Sequence, residues 1–503
     1  MTNEERTTKP DIASPPARSF VIRIWTFLRH SSFALRHSAA LDLLFLSLLA
    51  AFVLLLFLGQ NYHWASREIR HAEIMREMTE DGDFLIPHLM GQIYVDKPPV
   101  LHALGAAFMR VGGRANIFFA RLPAALAGIM AVLSLYGLGR LLGSRNEALL
   151  GSLTLLAMPG FVIMGRVARP DMILVTLILL SCLGLGWAMR NEIKGPSRAG
   201  LLILAGLTSG LAVITKGPYG VMFPLFFLAL APLRQRELKR PRWGMLLFGL
   251  SLSVIIGAWV LAVYLRDGGK YLHDVLHQPD LTTNDIARKG FFWYAAPLLV
   301  HTLPVSLFLP LTVGKWRREG FSPSLGIATV ILLVLCFFPK KRNHYLLPLY
   351  PFLALGIAEG IWYYGQRREQ WLRWAKVAIS LAIIGGPVYF GLILPWHRPA
   401  GDPELSFLTA VTNRAAPASL FVCDAGMDEE LAWVRRKYQG IETVTNVDHA
   451  AKALQAAAKG TDVVARKLFF TALTNAPYRL PLEPIFEQSL GHKGPWYLLR
   501  YGD

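Results

Sequence analysis

Residues Trp64 to Pro99 read W-A-S-R-E-I-R-H-A-E-I-M-R-E-M-T-E-D-G-D-F-L-I-P-H-L-M-G-Q-I-Y-V-D-K-P-P. The segment is lodged between long apolar runs. Its first half carries Glu68, Glu73, Glu77, Glu80 and Asp81 with Arg67, Arg70 and Arg76, and Asp96-Lys97-Pro98-Pro99 closes it. Ionisable groups beside a membrane span are costly to desolvate, so such a cluster points to function before packing. The segment reads as the catalytic loop of a membrane enzyme.

The surrounding composition sets that context. The chain has 503 residues, 53% hydrophobic and 17% charged. Its repeated apolar runs match a hydrocarbon core of roughly 30 Å. The expected fold class is a polytopic α-helical membrane protein with about 11–13 spans, given that about 20 apolar residues cross a bilayer. The opening segment, a cytoplasmic tail over residues 1–39, lacks the order of a cleavable signal, so the first span is expected to stay as an anchor. The net charge of +18 invites a nucleic-acid reading. Its distribution in short loops such as Arg140 and Arg145, Arg234 to Arg242 and Arg367 to Lys376 instead fits the positive-inside bias, and no nucleic-acid partner is expected. Cys182, Cys336 and Cys423 form no metal or redox spacing.

The spans sort the remaining loops by side. With the N-terminus inside, the segment 64–99 lies outside together with Gly165 to Asp171, the turn Lys216-Gly217-Pro218-Tyr219, the loop Arg266 to Lys289, and Pro339 to Tyr345. The charges that break the positive-inside pattern therefore share one face, as one site assembled from several loops would require. Residues 402–503 lose the long apolar runs. Strands at Ser419–Cys423, Glu442–Thr445, Asp462–Ala465, Ile485–Gln488 and Trp496–Arg500, with helices at Asp428–Lys437 and His449–Lys459, predict a small soluble α/β domain on the outer face. It has no phosphate-binding glycine motif.

Within the loop, Ile69, Ala72, Met75 and Met78 recur every three residues. That spacing predicts an amphipathic helix on the membrane surface with its acids facing water. Glu68 follows the first span and is placed to take a proton from an acceptor; Arg70 and Glu73 support it, and the competing reading is a solvated face of ion pairs. Asp96 precedes Lys97, which two prolines set on a stiff turn as a phosphate-binding point charge. Arg166 and Arg169 suit bidentate phosphate recognition; Asp171 either orients one of them or acts as a second carboxylate. Lys216 interrupts an apolar hairpin. Lys340, Lys341, Arg342, His344 and Tyr345 form a basic cluster suited to an anionic lipid headgroup. His71, His88 and His102 are spaced unlike a helical zinc pair. No metal cluster emerges, so a divalent metal is unsupported and no cofactor is required.

These motifs, E-x-R-x-A-E-I-x-R-E-M, G-D-F-x-x-P, D-K-P-P, R-P-D, T-K-G-P and K-K-R-N-H-Y-x-L-P, resemble the GT-C superfamily of polytopic glycosyltransferases over about residues 40–395. Within it they are similar to the bacterial lipid A aminoarabinose transferase-like group, related to dolichyl-phosphate-mannose protein mannosyltransferases. The resemblance implies transfer of a sugar from a polyprenyl-phosphate carrier to a lipid or glycolipid acceptor, at the outer face of the bacterial inner membrane and with inversion. It implies that the acid after the first span activates the acceptor, and that basic residues hold the carrier phosphate. Lys97, Asp171, Lys216, Lys341 and Tyr345 fall on matching motif positions. Many members carry Asp-Glu before x-Arg; here Arg67 stands at that Asp, leaving Glu68. Other readings are a protein O-mannosyltransferase, a flippase of polyprenyl-linked sugars, and a non-catalytic scaffold; no internal repeat favours the flippase.

Overall fold

The computed structural model describes residues 39–59, 68–235, 237–241, 243–277, 289–338, 341–397, 403–415, 420–423, 431–434, 441–444, 446–489 and 495–502. The chain divides into two units, Met1–Phe45 and Leu46–Asp503. Arg67 and Lys340 lie outside the described residues, as do most of the helix expected over Asp428–Lys437 and residues 1–38.

Each apolar segment anticipated between the basic loops folds as helix. Six helices are long and apolar enough to cross a membrane: Ile117–Leu142, Pro170–Ala188, Gly195–Lys216, Gly244–Asp267, Asn343–Arg367 and Glu369–Ile393. The number rises to eight if two bent pairs each count as one span. Prolines cause both bends. Pro159 opens a new helix after Leu156 at 68°, and Pro304 separates Phe291–Thr302 from Val305–Glu319 at 109°. A proline cannot continue the hydrogen-bond ladder of the preceding turn. Shorter apolar helices cover Ala39–Leu55, Val100–Val111, Tyr219–Leu233 and Pro323–Phe337. Caps set several starts: Asn116 accepts from the Phe119 amide, and Ser144 and Glu147 form a reciprocal capping box.

The loop helix spans Glu68–Asp81. Ile69, Ala72, Met75 and Met78 are buried as their spacing predicts, but of the acids only Glu80 and Asp81 face water. Glu68, Glu73 and Glu77 are buried as well, so the surface-lying amphipathic helix is corrected to a helix enclosed on both faces. Each acid has a specific partner, which is what permits its burial. Arg76 serves Glu73 at 2.9 Å and also reaches Glu80. Glu77 accepts the Met90 and Gly91 amides at 2.6 and 3.0 Å. Those two residues have φ of 55° and 75° and turn the short hairpin of β1 (His88–Leu89) and β2 (Gln92–Ile93).

The C-terminal region forms a five-stranded sheet from β3 (Leu420–Cys423), β4 (Ile441–Thr443), β5 (Asp462–Arg466), β6 (Leu482–Ser489) and β7 (Pro495–Tyr501). The order is β4-β3-β5-β7-β6, with β3 parallel to β4 and β5, and β7 antiparallel to both its neighbours. Alternate residues of the central strands enter different cores: Val463 and Leu499 join one, Val464 and Leu498 the other. Helices cover Pro403–Arg414, Val447–Ala456 and Lys467–Thr474, the first and last of which were not anticipated.

Burial raises the Glu77 carboxyl from 4.5 to about 7, against the pull of the two amides. An acid raised by folding contributes stability that is fully present below pH 4.5 and lost as pH rises through 7. The expected outcome is a thermal midpoint in detergent that falls across this window in the wild type and stays flatter in Glu77→Gln.

Candidate functional site

A buried ion pair frames the site. Arg121, from the helix Ile117–Leu142, donates from Nε and Nη2 to the two oxygens of Glu68 at 2.8 and 2.9 Å. The Ala168 amide donates to Glu68 Oε1 at 2.9 Å, and Arg121 Nη1 reaches the Leu58 carbonyl at 2.9 Å. Glu68 has no exposed surface and Arg121 only 5%. Both oxygens of the acid that the sequence places as the base are therefore committed to partners. Next to this pair, Arg166 donates to the Val53 and Leu54 carbonyls at 2.9 and 3.1 Å and to Leu56 at 2.7 Å. Its guanidinium also lies 4.5 Å from the Phe390 ring centre. Arg166 is thus a cap on the first apolar helix, its guanidinium engaged by backbone carbonyls and a ring face.

The turn 166–169 ends at Arg169, and Pro170-Asp171 starts the next helix. That helix and Gly195–Lys216 are joined by a short connection, so the start of one meets the end of the other. Asp171 sits in the first turn and Lys216 in the last, each favoured by the helix dipole at its end. The two form a salt bridge. Gly217 follows with φ of 80°, a left-handed residue that lets the chain leave the helix at once.

Other loops converge here. Tyr345, on the turn Asn343–Leu349, places its ring 4.9 Å from Lys216 Nζ and 6.4 Å from the Tyr219 ring. Arg169 Nη1 donates to His344 Nδ1 at 3.5 Å. Lys97 donates to the Asp96 carbonyl at 2.8 Å. Burial lowers the Lys97 ammonium from its ordinary value; the Asp96 carboxylate opposes this, and the nearby Lys216 and Arg342 reinforce it. The structure thus brings together Asp96, Lys97, Arg169, Asp171, Lys216, Arg342, His344 and Tyr345 from four separate loops. Four cations face two carboxylates in a half-buried setting, a field that favours an added anion.

Other candidates fall elsewhere. Glu73 is sealed against Arg76. Lys341 turns away: its Nζ donates to the Phe338 and Lys289 carbonyls at 2.8 and 3.3 Å, and Lys289 returns a bond to the Lys341 carbonyl. Arg70 lies within electrostatic reach of His71. His71 and His102 were not anticipated as a pair, yet His71 Nδ1 and His102 Nε2 lie 2.9 Å apart. No sequence spacing signals this contact, because the two sit on different helices. Among the described residues, no group of three His, Cys, Asp or Glu side chains could hold a metal ion.

Comparisons place this architecture. Residues 96–260 match the family model for dolichyl-phosphate-mannose-protein mannosyltransferase. An undecaprenyl phosphate-alpha-4-amino-4-deoxy-L-arabinose arabinosyl transferase from Aeromonas hydrophila is 31% identical over 63% of this chain and 59% of its own length. The chain thus spans about three fifths of the length of that relative. The crystal structure of ArnT from Cupriavidus metallidurans bound to undecaprenyl phosphate superposes with a TM-score of 0.74 at 16% identity, over 92% of this chain and 98% of that one. An oligosaccharyltransferase from Archaeoglobus fulgidus gives 0.55 at 12% identity, over 91% and 73%. The fold is of the GT-C type, in a multi-pass membrane protein. The resemblance of its motifs to aminoarabinose transferases is matched in sequence by the Aeromonas relative and in fold by ArnT.

Removing one partner from a buried ion pair costs about 3–5 kcal/mol. Arg121→Met is expected to lower the thermal midpoint sharply, and Arg121→Met combined with Glu68→Leu to recover most of the loss. Glu68→Gln separates the two roles of the acid: a framing residue loses stability, whereas a base loses turnover at an unchanged midpoint.

Proposed function

We propose that this protein is a glycosyltransferase of the bacterial inner membrane. It moves a sugar from a polyprenyl-phosphate carrier to an extracytoplasmic acceptor, lipid A or another envelope glycolipid, with inversion. The excess of cations over carboxylates around Lys97, Arg169, Lys216 and Arg342 carries this reading. The ligand in the Cupriavidus structure and the name of the Aeromonas relative support the donor class. In this reading the N-terminus is cytoplasmic and the region 402–503 periplasmic.

The donor enters laterally from the bilayer with its tail in lipid and its phosphate among Lys97, Arg169 and Arg342. Lys216 is held by Asp171 and set against Tyr345, which fixes the ammonium for the same phosphate. The acceptor attacks the anomeric carbon from the opposite face. Negative charge grows on the departing phosphate, so cations aimed at it stabilise the transition state more than the ground state. Asp171 keeps Lys216 oriented, and Glu68 holds the frame through Arg121. The match to the protein mannosyltransferase model favours a protein acceptor as the second reading.

The test uses purified protein in nanodiscs with polyprenyl-phosphate sugars from cell-envelope lipids, followed by mass spectrometry. Wild type is expected to consume the donor and yield a glycosylated lipid. Lys97→Ala is expected to lose about a hundredfold in rate, the effect of removing one preorganised donor to developing charge. A glycosylated protein product would select the second reading, and donor binding without transfer to any acceptor would point to a carrier-translocating protein.

A further inference from the structure

We propose that Lys341 is a positioning residue: with Lys289 it forms a reciprocal clasp that holds the turn 342–345 against Arg169 and Lys216. This rests on the transferase reading above. Lys341 Nζ donates to the Phe338 carbonyl at 2.8 Å and to the Lys289 carbonyl at 3.3 Å. Lys289 Nζ donates back to the Lys341 carbonyl at 3.0 Å, and its ammonium lies 3.9 Å from the centre of the Trp293 ring. Three stretches of chain are thereby joined: Lys289, 52 positions upstream, the end of the helix Pro323–Phe337, and the root of the turn. A lysine that merely capped that helix would need the Phe338 carbonyl alone. The second bond, and the one that Lys289 returns, make the contact a clasp.

Lys341 keeps only 4% exposure. Burying an ammonium is costly unless its donors are used, and here the partners are neutral carbonyls. An apolar side chain would fill the same place without that cost, so the bonds themselves are the reason for a lysine. What they hold lies within four residues. The Tyr345 amide donates to the Arg342 carbonyl at 3.0 Å and closes the turn. At its tip, His344 Nδ1 lies 3.5 Å from Arg169 Nη1, and the Tyr345 ring centre 4.9 Å from Lys216 Nζ. Phe338, whose carbonyl Lys341 takes, sets its ring 6.2 Å from that of Tyr219, which lies 6.4 Å from the Tyr345 ring. Two of the cations assigned to the carrier phosphate therefore touch a turn whose root is fixed by the clasp. Lys341 acts on them through His344 and Tyr345, since its own Nζ is turned to the backbone. Releasing it lets the Tyr345 ring leave Lys216, whose ammonium is then held by Asp171 alone, and the donor aimed at the departing phosphate loses its setting.

Lys341→Met removes the bonds and keeps the bulk. Turnover, the KM for the polyprenyl-phosphate sugar and the thermal midpoint are measured in nanodiscs for wild type, Lys341→Met, Lys341→Arg, Lys289→Met and Tyr345→Ala. The Tyr345→Ala change is also combined with each methionine variant. Misplacing a catalytic group by about 1 Å costs up to about a hundredfold in rate. The expected result is a kcat lowered about tenfold to a hundredfold in Lys341→Met, with the donor KM within about threefold of wild type. Lys341→Arg, which still offers donors to both carbonyls, is expected to recover part of the rate. Adding Tyr345→Ala to Lys341→Met is expected to cost far less than Tyr345→Ala alone, because both changes act through one contact. Where Lys341→Met fails to fold, the same cycle between Lys289→Met and Tyr345→Ala decides the question. Fully additive losses overturn the proposal. So does a raised donor KM at unchanged kcat, which makes Lys341 a direct phosphate ligand, or a lowered midpoint at unchanged kcat, which makes the clasp structural only. Each of these leaves the transferase reading in place, whereas absence of transfer by wild type removes both.

Discussion

The bidentate pair between Glu68 and Arg121 is the constraint on which the rest of the site depends. Two full charges are withdrawn from water there, which is tolerable only because each remaining polar atom is used: the Ala168 amide on the carboxylate and the Leu58 carbonyl on the guanidinium. Those partners come from four places in the chain. The end of the first apolar helix, the loop helix, the helix Ile117–Leu142 and the 166–169 turn are thereby fixed to one another. Arg169 ends that turn and Asp171 follows it, so the positions of these charged groups derive from the pair.

The site built on this frame is electrostatically incomplete in itself. The Asp171–Lys216 bridge satisfies one cation, and the Asp96 carboxylate moderates Lys97, yet Arg169 and Arg342 add charge that no carboxylate in the cluster matches. Aromatic rings from Tyr219 and Tyr345 shield one side. Such a place stores repulsion that a bound anion relieves.

Much of the helical region was legible because apolar length and loop charge report it directly. The convergence of Lys97, Arg169, Asp171, Lys216 and Tyr345 followed from placing their loops on one side. What could not be read was which charged residues pair with each other. Periodicity put Ile69 and Met75 inward correctly, but a hydropathy pattern assigns every acid to water. The burial of Glu68 depends on Arg121, 53 positions away, and that of Glu77 on two amides of a hairpin turn. Lys341 sits amid a basic run and looked like its neighbours, yet backbone carbonyls capture it. The imidazole pair escaped notice for the same reason. In the C-terminal sheet the strands announced themselves by alternation, whereas Pro403–Arg414 and Lys467–Thr474 are short helices with little sequence signal.

The arginine that caps the first helix has a consequence for biosynthesis. Among the described residues, three carbonyls near the end of that helix, at Val53, Leu54 and Leu56, take their side-chain donors from Arg166, more than a hundred residues later. A nascent chain therefore carries the first helix into the bilayer before these arginine bonds can form. Water or headgroups at the interface must serve until the segment bearing Arg166 has left the ribosome. Docking of the first helix is thus a late event in assembly, and the loop that follows it waits on the same arrival.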